Sequence, residues 1–319
     1  MDLKERSFNK AIKAVTKEKL GSEPYAFTYT KTVKKRDEGK TLLAFYNNAF
    51  PEKGEEFWQE KINKGAITVN GKTVAPHIEL QAGWITKHTV LDKVEPEVNT
   101  AITLLYEDAD LLAVNKPAPL AVHPSGRFFK NTLTSILKLA FPKENYKITH
   151  RLDANTTGVL LLAKNTNTAS KIINQFEAKT ASKHYLAWVE GLVTEEKLSI
   201  KIPIGKQKEN AGSRLLNSQG QEAETLLEVL IRESTKTLVL LQPKSGRTNQ
   251  LRLHLADIGH PILGDIGYKN PEYFKNNPMV YPEDILMLHA WKLALIHNGE
   301  KRTFIAPIPS KFGELKCNI

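Results

Sequence analysis

The chain has 319 residues, 41% of them hydrophobic, and a formal charge of +10 at pH 7. That length suits one large domain with a small one beside it, and the apolar share is ordinary for a globular protein. No run of 18 apolar residues occurs, which excludes a helical membrane span, and Cys317 alone can form neither an internal disulfide nor a cysteine metal cluster.

A single thiol fits a reducing compartment. The start, Met1-Asp2-Leu3-Lys4-Glu5-Arg6, has no apolar stretch behind it as a secretory signal would, and acidic Asp2 and Glu5 argue against a mitochondrial presequence. A cytoplasmic location is therefore expected. The positive charge suits a polyanionic partner, most commonly nucleic acid. Half of the excess lies in residues 1–40, with 11 Lys/Arg against 6 Asp/Glu, and these residues are expected to be a basic N-terminal extension. The Lys34-Lys35-Arg36 cluster reads either as part of a basic arm on phosphates or as a solvated charge run.

Residues 41–97 are predicted as a small α/β module. Leu42, Leu43, Phe45 and Tyr46 open one helix, and Phe57, Trp58, Ile62 and Gly65 mark a second that ends at the glycine. Residues 66–69 and 72–74 flank Asn70-Gly71, a pair that tolerates the positive φ of a tight hairpin turn. The polar stretch from Asp92 to Thr100, with Pro96, separates this module from residues 98–319.

The second region mixes strands and helices without a βαβ rhythm. We therefore expect an α+β fold with a mixed, largely antiparallel sheet. Residues 111–115 form a strand candidate before Lys116-Pro117, and residues 159–163 form an apolar run that suits a strand buried on both faces. Just before that run stands His150-Arg151-Leu152-Asp153-Ala154-Asn155-Thr156-Thr157-Gly158. A carboxylate in a loop fixed by a core strand is well placed for chemistry, although an Asx turn explains Asp153 equally simply. A helix over residues 168–176 follows. The next strand puts Tyr185, Ala187 and Val189 on one face and Leu186 and Trp188 on the other. Tyr185 reads as core or as a flat ring for stacking on a base. Residues 225–231 and 237–241 are two more strands. A turn at Lys244-Ser245-Gly246-Arg247 then enters a helix with Leu251, Leu255 and Ile258 at helical spacing. Arg247 reads as a surface arginine or as the fixed partner of a carboxylate.

Taken together these segments resemble the RluA-type family of RNA pseudouridine synthases. The family's pattern His-Arg-Leu-Asp-x-x-Thr-Ser-Gly is matched over residues 150–158, with Thr157 at the serine position. Its Lys-x-Tyr-x-Ala-x-Val-x-Gly is matched by Lys183, Tyr185, Ala187, Val189 and Gly191. Its Gly-Arg-Thr-His-Gln-Ile-Arg-x-His-Leu is matched over residues 246–255, with Asn249 and Leu251 as the departures. Supporting matches include Asn115-Lys116-Pro117, Val122-His123-Pro124 and Leu288-His289-Ala290. Residues 41–90 resemble the small RNA-binding module of a ribosomal small-subunit protein, a match carried by residues 65–71. Glu55 and Glu56 stand where that module usually shows Ser-Arg, and Trp84 where Asp is common.

The resemblance implies isomerisation of uridine to pseudouridine in large-subunit ribosomal RNA or transfer RNA. The uridine is everted from its stack, and Asp153 is the catalytic carboxylate. It implies that Arg247 pairs with Asp153, that Tyr185 packs on the uracil, that Leu251 walls the pocket and that Arg151 contacts RNA. The reaction involves no redox change, so no cofactor and no metal is implied. RNA is the expected partner, with no membrane, and a monomer is the expected state. A non-catalytic RNA-binding or ribosome-assembly factor on the same fold is the alternative, and a base-releasing glycosylase is a third reading.

Overall fold

A computed structural model describes residues 3–17, 20–206, 214–269 and 286–313; Asp2 and Cys317, on which two expectations rest, lie outside the described residues. The chain divides into two units, Met1–Leu20 with Pro96–Ile319, and Gly21–Glu95.

Helix α1 (Leu3–Thr16) is rich in charge, yet Phe8 and Ile12 lie one turn apart and are buried. Phe8 stacks on Phe141 with ring centroids 5.2 Å apart, and both α1 residues join the cluster of Leu133, Ile136 and Leu137 in the larger unit. Residues 1–40 are thus not one basic extension. Their first part is this docked helix, and residues 25–32 are a strand of the smaller unit. Five charged residues among the first ten hide the apolar pair from a composition reading.

In the smaller unit, β1 (Tyr25–Thr32), α2 (Leu42–Ala49), α3 (Glu55–Asn63), β2 (Ile67–Val69), β3 (Lys72–Thr73) and β4 (Ile85–Lys93) follow in order. The strands form a sheet in the order β1-β4-β2-β3. Thr41 caps α2, its hydroxyl accepting from Ala44 N–H at 3.2 Å. Leu42, Phe45 and Tyr46 of α2 and Trp58 and Ile62 of α3 pack over Ile67 and Val69 of the hairpin. Asn70 and Gly71 turn that hairpin at φ 49° and 79°, the left-handed values that the pair tolerates.

The larger unit continues with β5 (Thr103–Glu107), β6 (Leu111–Lys116), α4 (Leu133–Ala140), β7 (Lys147–Ile148), β8 (Thr157–Ala163), α5 (Thr166–Glu177) and β9 (Ser182–Glu190). Then come β10 (Lys197–Lys201), β11 (Ile204–Lys206), β12 (Arg214–Leu216), β13 (Glu224–Arg232), β14 (Lys236–Pro243), α6 (Gln250–Asp257), α7 (Ile266–Lys269), β15 (Leu288–His297) and β16 (Glu300–Ile305). Among the described residues, ten strands form one mixed sheet in the order β10-β13-β14-β9-β15-β8-β6-β5, with β16 on β15 and β7 on β8. The β8–β15 pair is parallel and the other pairs are antiparallel.

Alternation sorts the side chains between the two sheet faces. Leu160 and Leu162 of β8 join Leu112, Val114 and α4 on one face, whereas Val159 and Leu161 meet Ile172 of α5 on the other. On β9, Ala187 and Val189 face Leu251 and Leu255 of α6, while Leu186 and Trp188 face the opposite way. The α4 and α6 clusters thus share one sheet face, and Tyr185 packs against both.

Candidate active site

Tyr185 of β9 pairs with Ala290 of β15, and Ala290 pairs with Gly158 of β8. This cross-strand row sets the loop that precedes β8, and with it Asp153, beside the tyrosine. Gly158 adopts φ +117°, and a Cβ there would stand 2.1 Å from the Ala290 carbonyl oxygen. Only glycine permits that approach, which explains the glycine that closes the Asp153 motif.

The loop has its own tethers. Thr156 N–H donates to the Asp153 carbonyl at 3.1 Å, and Leu120 N–H donates to the Ala154 carbonyl at 2.9 Å. The fully buried Lys116 ammonium donates to the carbonyls of Pro117, Leu120 and Ala154 at 2.8, 2.9 and 3.0 Å. A lysine at the end of an apolar strand thereby fixes the backbone next to the carboxylate. Below the loop, the Thr157 hydroxyl and His289 Nδ1 lie 2.8 Å apart.

Asp153 Oδ2 lies 3.7 Å from Arg252 Nη1, and the two side chains are 27% and 18% exposed. Arg252 projects from the first turn of α6 and is gripped by the buried Asp265, at 2.7 Å from Nε and 2.7 Å from Nη2. Tyr268 lies under the guanidinium with its centroid 4.7 Å away, and Arg252 Nη1 donates to Asn249 Oδ1 at 3.3 Å. Burial works against the Arg252 charge, but the hydrogen bonds and charge of Asp265, joined by Asp153, outweigh it and raise the guanidinium pKa. One edge of the fork is thus fixed on Asp265, and the remaining nitrogen faces Asp153.

The expected ion pair between Arg247 and Asp153 is corrected. Arg247 Nε donates instead to the Glu222 carbonyl at 3.3 Å, on an exposed side of the turn. Arg247 precedes α6 and its side chain follows the turn, whereas Arg252 emerges from the helix between Asp153 and Asp265. Gln250 organises this turn. Its Oε1 accepts from the Ser245 hydroxyl at 2.7 Å and from Arg247 N–H at 3.1 Å, and its amide donates to the Glu224 carbonyl and the Thr225 hydroxyl. Arg252, Asp265, Gln250 and Lys116 received no role in the sequence reading. Spacing could have suggested only that two arginines compete for one acid.

Asp153, Tyr185, Arg247, Leu251, Arg252 and Arg151 all line one cavity of about 380 Å³. The Tyr185 hydroxyl has no hydrogen-bond partner among the described residues. Burial, and then the charge of Asp153, push its pKa up, so the hydroxyl stays protonated. Leu251 is buried against Leu241 and Leu255 and gives an apolar wall. Arg151 is exposed at the rim and makes no ion pair among the described residues. A second cavity shares Arg151, Asp153 and Arg252 and continues to His123, Ser125 and Arg127. His150 accepts Leu161 N–H on Nε2 at 3.0 Å; burial and the Lys183 charge hold it near pKa 3 and therefore neutral. Among the described residues no three His, Cys, Asp or Glu side chains gather as metal ligands, and no helix is long and apolar enough to cross a membrane.

An acid beside a fixed arginine and a tyrosine, in a cavity rimmed by cations, defines a site for a polyanionic substrate whose reacting group enters the pocket. The RNA pseudouridylate synthase family matches residues 110–257. An uncharacterised RNA pseudouridine synthase of Synechocystis sp. is 33% identical over 273 residues, 84% of this chain and 94% of the relative. Ribosomal large subunit pseudouridine synthase C of Buchnera aphidicola is 31% identical over 268 residues, 79% of this chain and 84% of the relative. The solved structure of human RNA Pseudouridylate Synthase Domain Containing 1 aligns with TM-score 0.54 and 29% identity, over 65% of this chain and 83% of that one. This chain belongs to the RNA pseudouridine synthase family. Its class of activity is that of an isomerase that converts uridine to pseudouridine.

Proposed function

We propose that Asp153 is the carboxylate that acts on an everted uridine. The observation that carries this reading is the juxtaposition in one cavity of Asp153, the Arg252 guanidinium 3.7 Å away and the Tyr185 ring. Eversion costs a few kcal/mol and is cheapest for loop nucleotides. Tyr185 packs against the uracil ring, and Leu251 closes the apolar side so that water is excluded while the base is detached. Arg252 orients the carboxylate. Arg151, exposed at the rim, takes the RNA backbone or fills the gap that the uridine leaves.

The substrate is structured RNA, large-subunit ribosomal RNA or transfer RNA, and the Buchnera relative, matched over 84% of its length, supports the first. The unit Gly21–Glu95 serves as an RNA-binding module. Its two helices and Asn70-Gly71 hairpin support this, as does a cleft lined by Lys31, Lys34, Arg36 and Lys40 with the single acid Asp37. The protein acts as a cytoplasmic monomer.

The test uses RNA carrying tritium at C5 of uridine. Isomerisation releases tritium to water without free uracil. Release of uracil would indicate a glycosylase, and binding without tritium release would indicate a non-catalytic RNA-binding factor.

A further inference from the structure

Lys183 is a cation of the pocket that none of these roles uses. It lies two residues before Tyr185 on β9, so both side chains leave the same sheet face about 7 Å apart. Both line the Asp153 cavity. The ammonium donates to the Ser245 carbonyl at 2.8 Å and makes no ion pair among the described residues. An ammonium carries three N–H donors, so two remain. Ser245 belongs to the turn that Gln250 fixes, and the lysine is therefore held at a set point on the wall. Burial lowers its pKa to about 8, which still leaves it largely charged at neutral pH. A half-buried cation that has no ion pair among the described residues is costly to hold in the pocket unless a ligand brings negative charge.

The chemistry proposed above generates such a charge. When the C1′–N1 bond breaks, its electron pair leaves with the base and is shared between O2 and O4. If the carboxylate adds to the base instead, the ring becomes an enolate with charge on O4. Either way the base is anionic until the new bond forms at C5. Then the C5 hydrogen leaves as a proton, N1 gains a proton, and no oxidant or reductant takes part.

We propose that Lys183 is a further catalytic residue, whose ammonium donates to a carbonyl oxygen of the uracil and stabilises the negative charge that the base acquires. The Tyr185 ring supports the face of the base, Asp153 works at its sugar side, and Lys183 reaches an oxygen on its rim. The lysine keeps its proton throughout, so its task is electrostatic and is the same for each chemical route. This inference rests on the assignment of the cavity to an everted uridine.

The test compares Lys183→Met with the parent protein in single-turnover reactions on RNA containing uridine or 5-fluorouridine at the target, read for both as consumption of the target nucleotide, because C5 of 5-fluorouridine has no hydrogen to lose in the last step. Fluorine makes the base a more stable anion, so it has less need of the cation. The expected result is a loss of about 100-fold or more with uridine. The loss with 5-fluorouridine should be at least about fivefold smaller, and RNA affinity should stay within about threefold of the parent. An unchanged rate would overturn the proposal. So would an equal loss with both nucleotides, the mark of disturbed packing, or a loss confined to affinity, the mark of a phosphate contact. Lys183→Arg keeps the cation and should stay within about tenfold of the parent. It also serves if the methionine variant does not fold, and a loss of about 100-fold in the arginine variant would count against the proposal. Asp153→Asn run in parallel separates the two levels. Activity in that variant removes the cavity assignment, whereas an inactive Asp153→Asn beside a fully active Lys183→Met removes only the role of the lysine.

Discussion

Arg252 stands between two acids, bound edge-on by the buried Asp265 at 2.7 Å and facing Asp153 across 3.7 Å. The strong contact is structural and the long one faces the cavity, which leaves the Asp153 carboxylate open to a substrate. Arg252→Ala should lower turnover about 100-fold or more. It should also cost about 3–5 kcal/mol of stability, because Asp265 is left buried without its counter-ion. The double variant Arg252→Met with Asp265→Leu should recover most of that stability but not the activity. Arg247→Ala, whose side chain among the described residues reaches only a backbone carbonyl, should reduce turnover less than about tenfold. Steady-state kinetics and urea titration on the four proteins check this, and an Arg247→Ala loss that exceeds the Arg252→Ala loss would reverse the assignment.

Lys116 places its ammonium on three carbonyl oxygens, one of them that of Ala154 beside Asp153. Lys116→Met removes these bonds, so the Pro117 and Leu120 carbonyls lose a donor and the Ala154 carbonyl keeps only that of Leu120 N–H. A stability loss of about 2–4 kcal/mol is expected. The turnover number should fall more than RNA affinity, since the loop that carries the carboxylate is loosened. A variant with parental stability and rate would show that the loop holds its shape without the lysine.

Gly158→Ala puts a methyl group 2.1 Å from a backbone oxygen of the neighbouring strand and adds strain at φ +117°. At least about 3 kcal/mol of destabilisation is expected. Urea unfolding measures it, and a midpoint equal to the parent's would contradict the close β8–β15 approach.

How much of this was legible in the sequence varies by residue. The Asn70-Gly71 hairpin, the double-sided burial of β8 and the two faces of β9 follow from turn chemistry and alternation, which are local. The gathering of Asp153, Tyr185 and Leu251 around one cavity was expected from the motifs. The choice of arginine was not legible. Arg247 and Arg252 share one short segment, and Asp265, a loop residue past the helix end, fixes only the second. Helix α1 was hidden because two apolar residues among many charges acquire meaning only once Phe141 and α4 are in place. Lys183 matched a motif, but that its ammonium binds the Ser245 carbonyl and makes no ion pair among the described residues is a property of the folded cavity.

Asp108 offers a test of pH dependence away from the cavity. Burial opposes its ionisation. Hydrogen bonds from the backbone of Asp110 and Leu111, from His297 and from Tyr106 outweigh that and hold the carboxyl down at about 2. Because the folded pKa is depressed, the stabilisation is complete above the unfolded value near 4 and is lost as pH falls towards 2. It amounts to about 2 kcal/mol. Asp108→Asn should therefore be less stable than the parent at pH 7, with the gap closing between about pH 4 and pH 2. Urea midpoints across that range measure the gap, and a gap that widened on acidification would contradict the sign.

The most direct measurement is single-turnover pseudouridine formation by Asp153→Asn, with RNA affinity measured on the same samples. No pseudouridine, with affinity within about threefold of the parent, is the expected result, because the substitution removes the charge and preserves the shape. Pseudouridine formed at the parental rate would contradict the role given to Asp153.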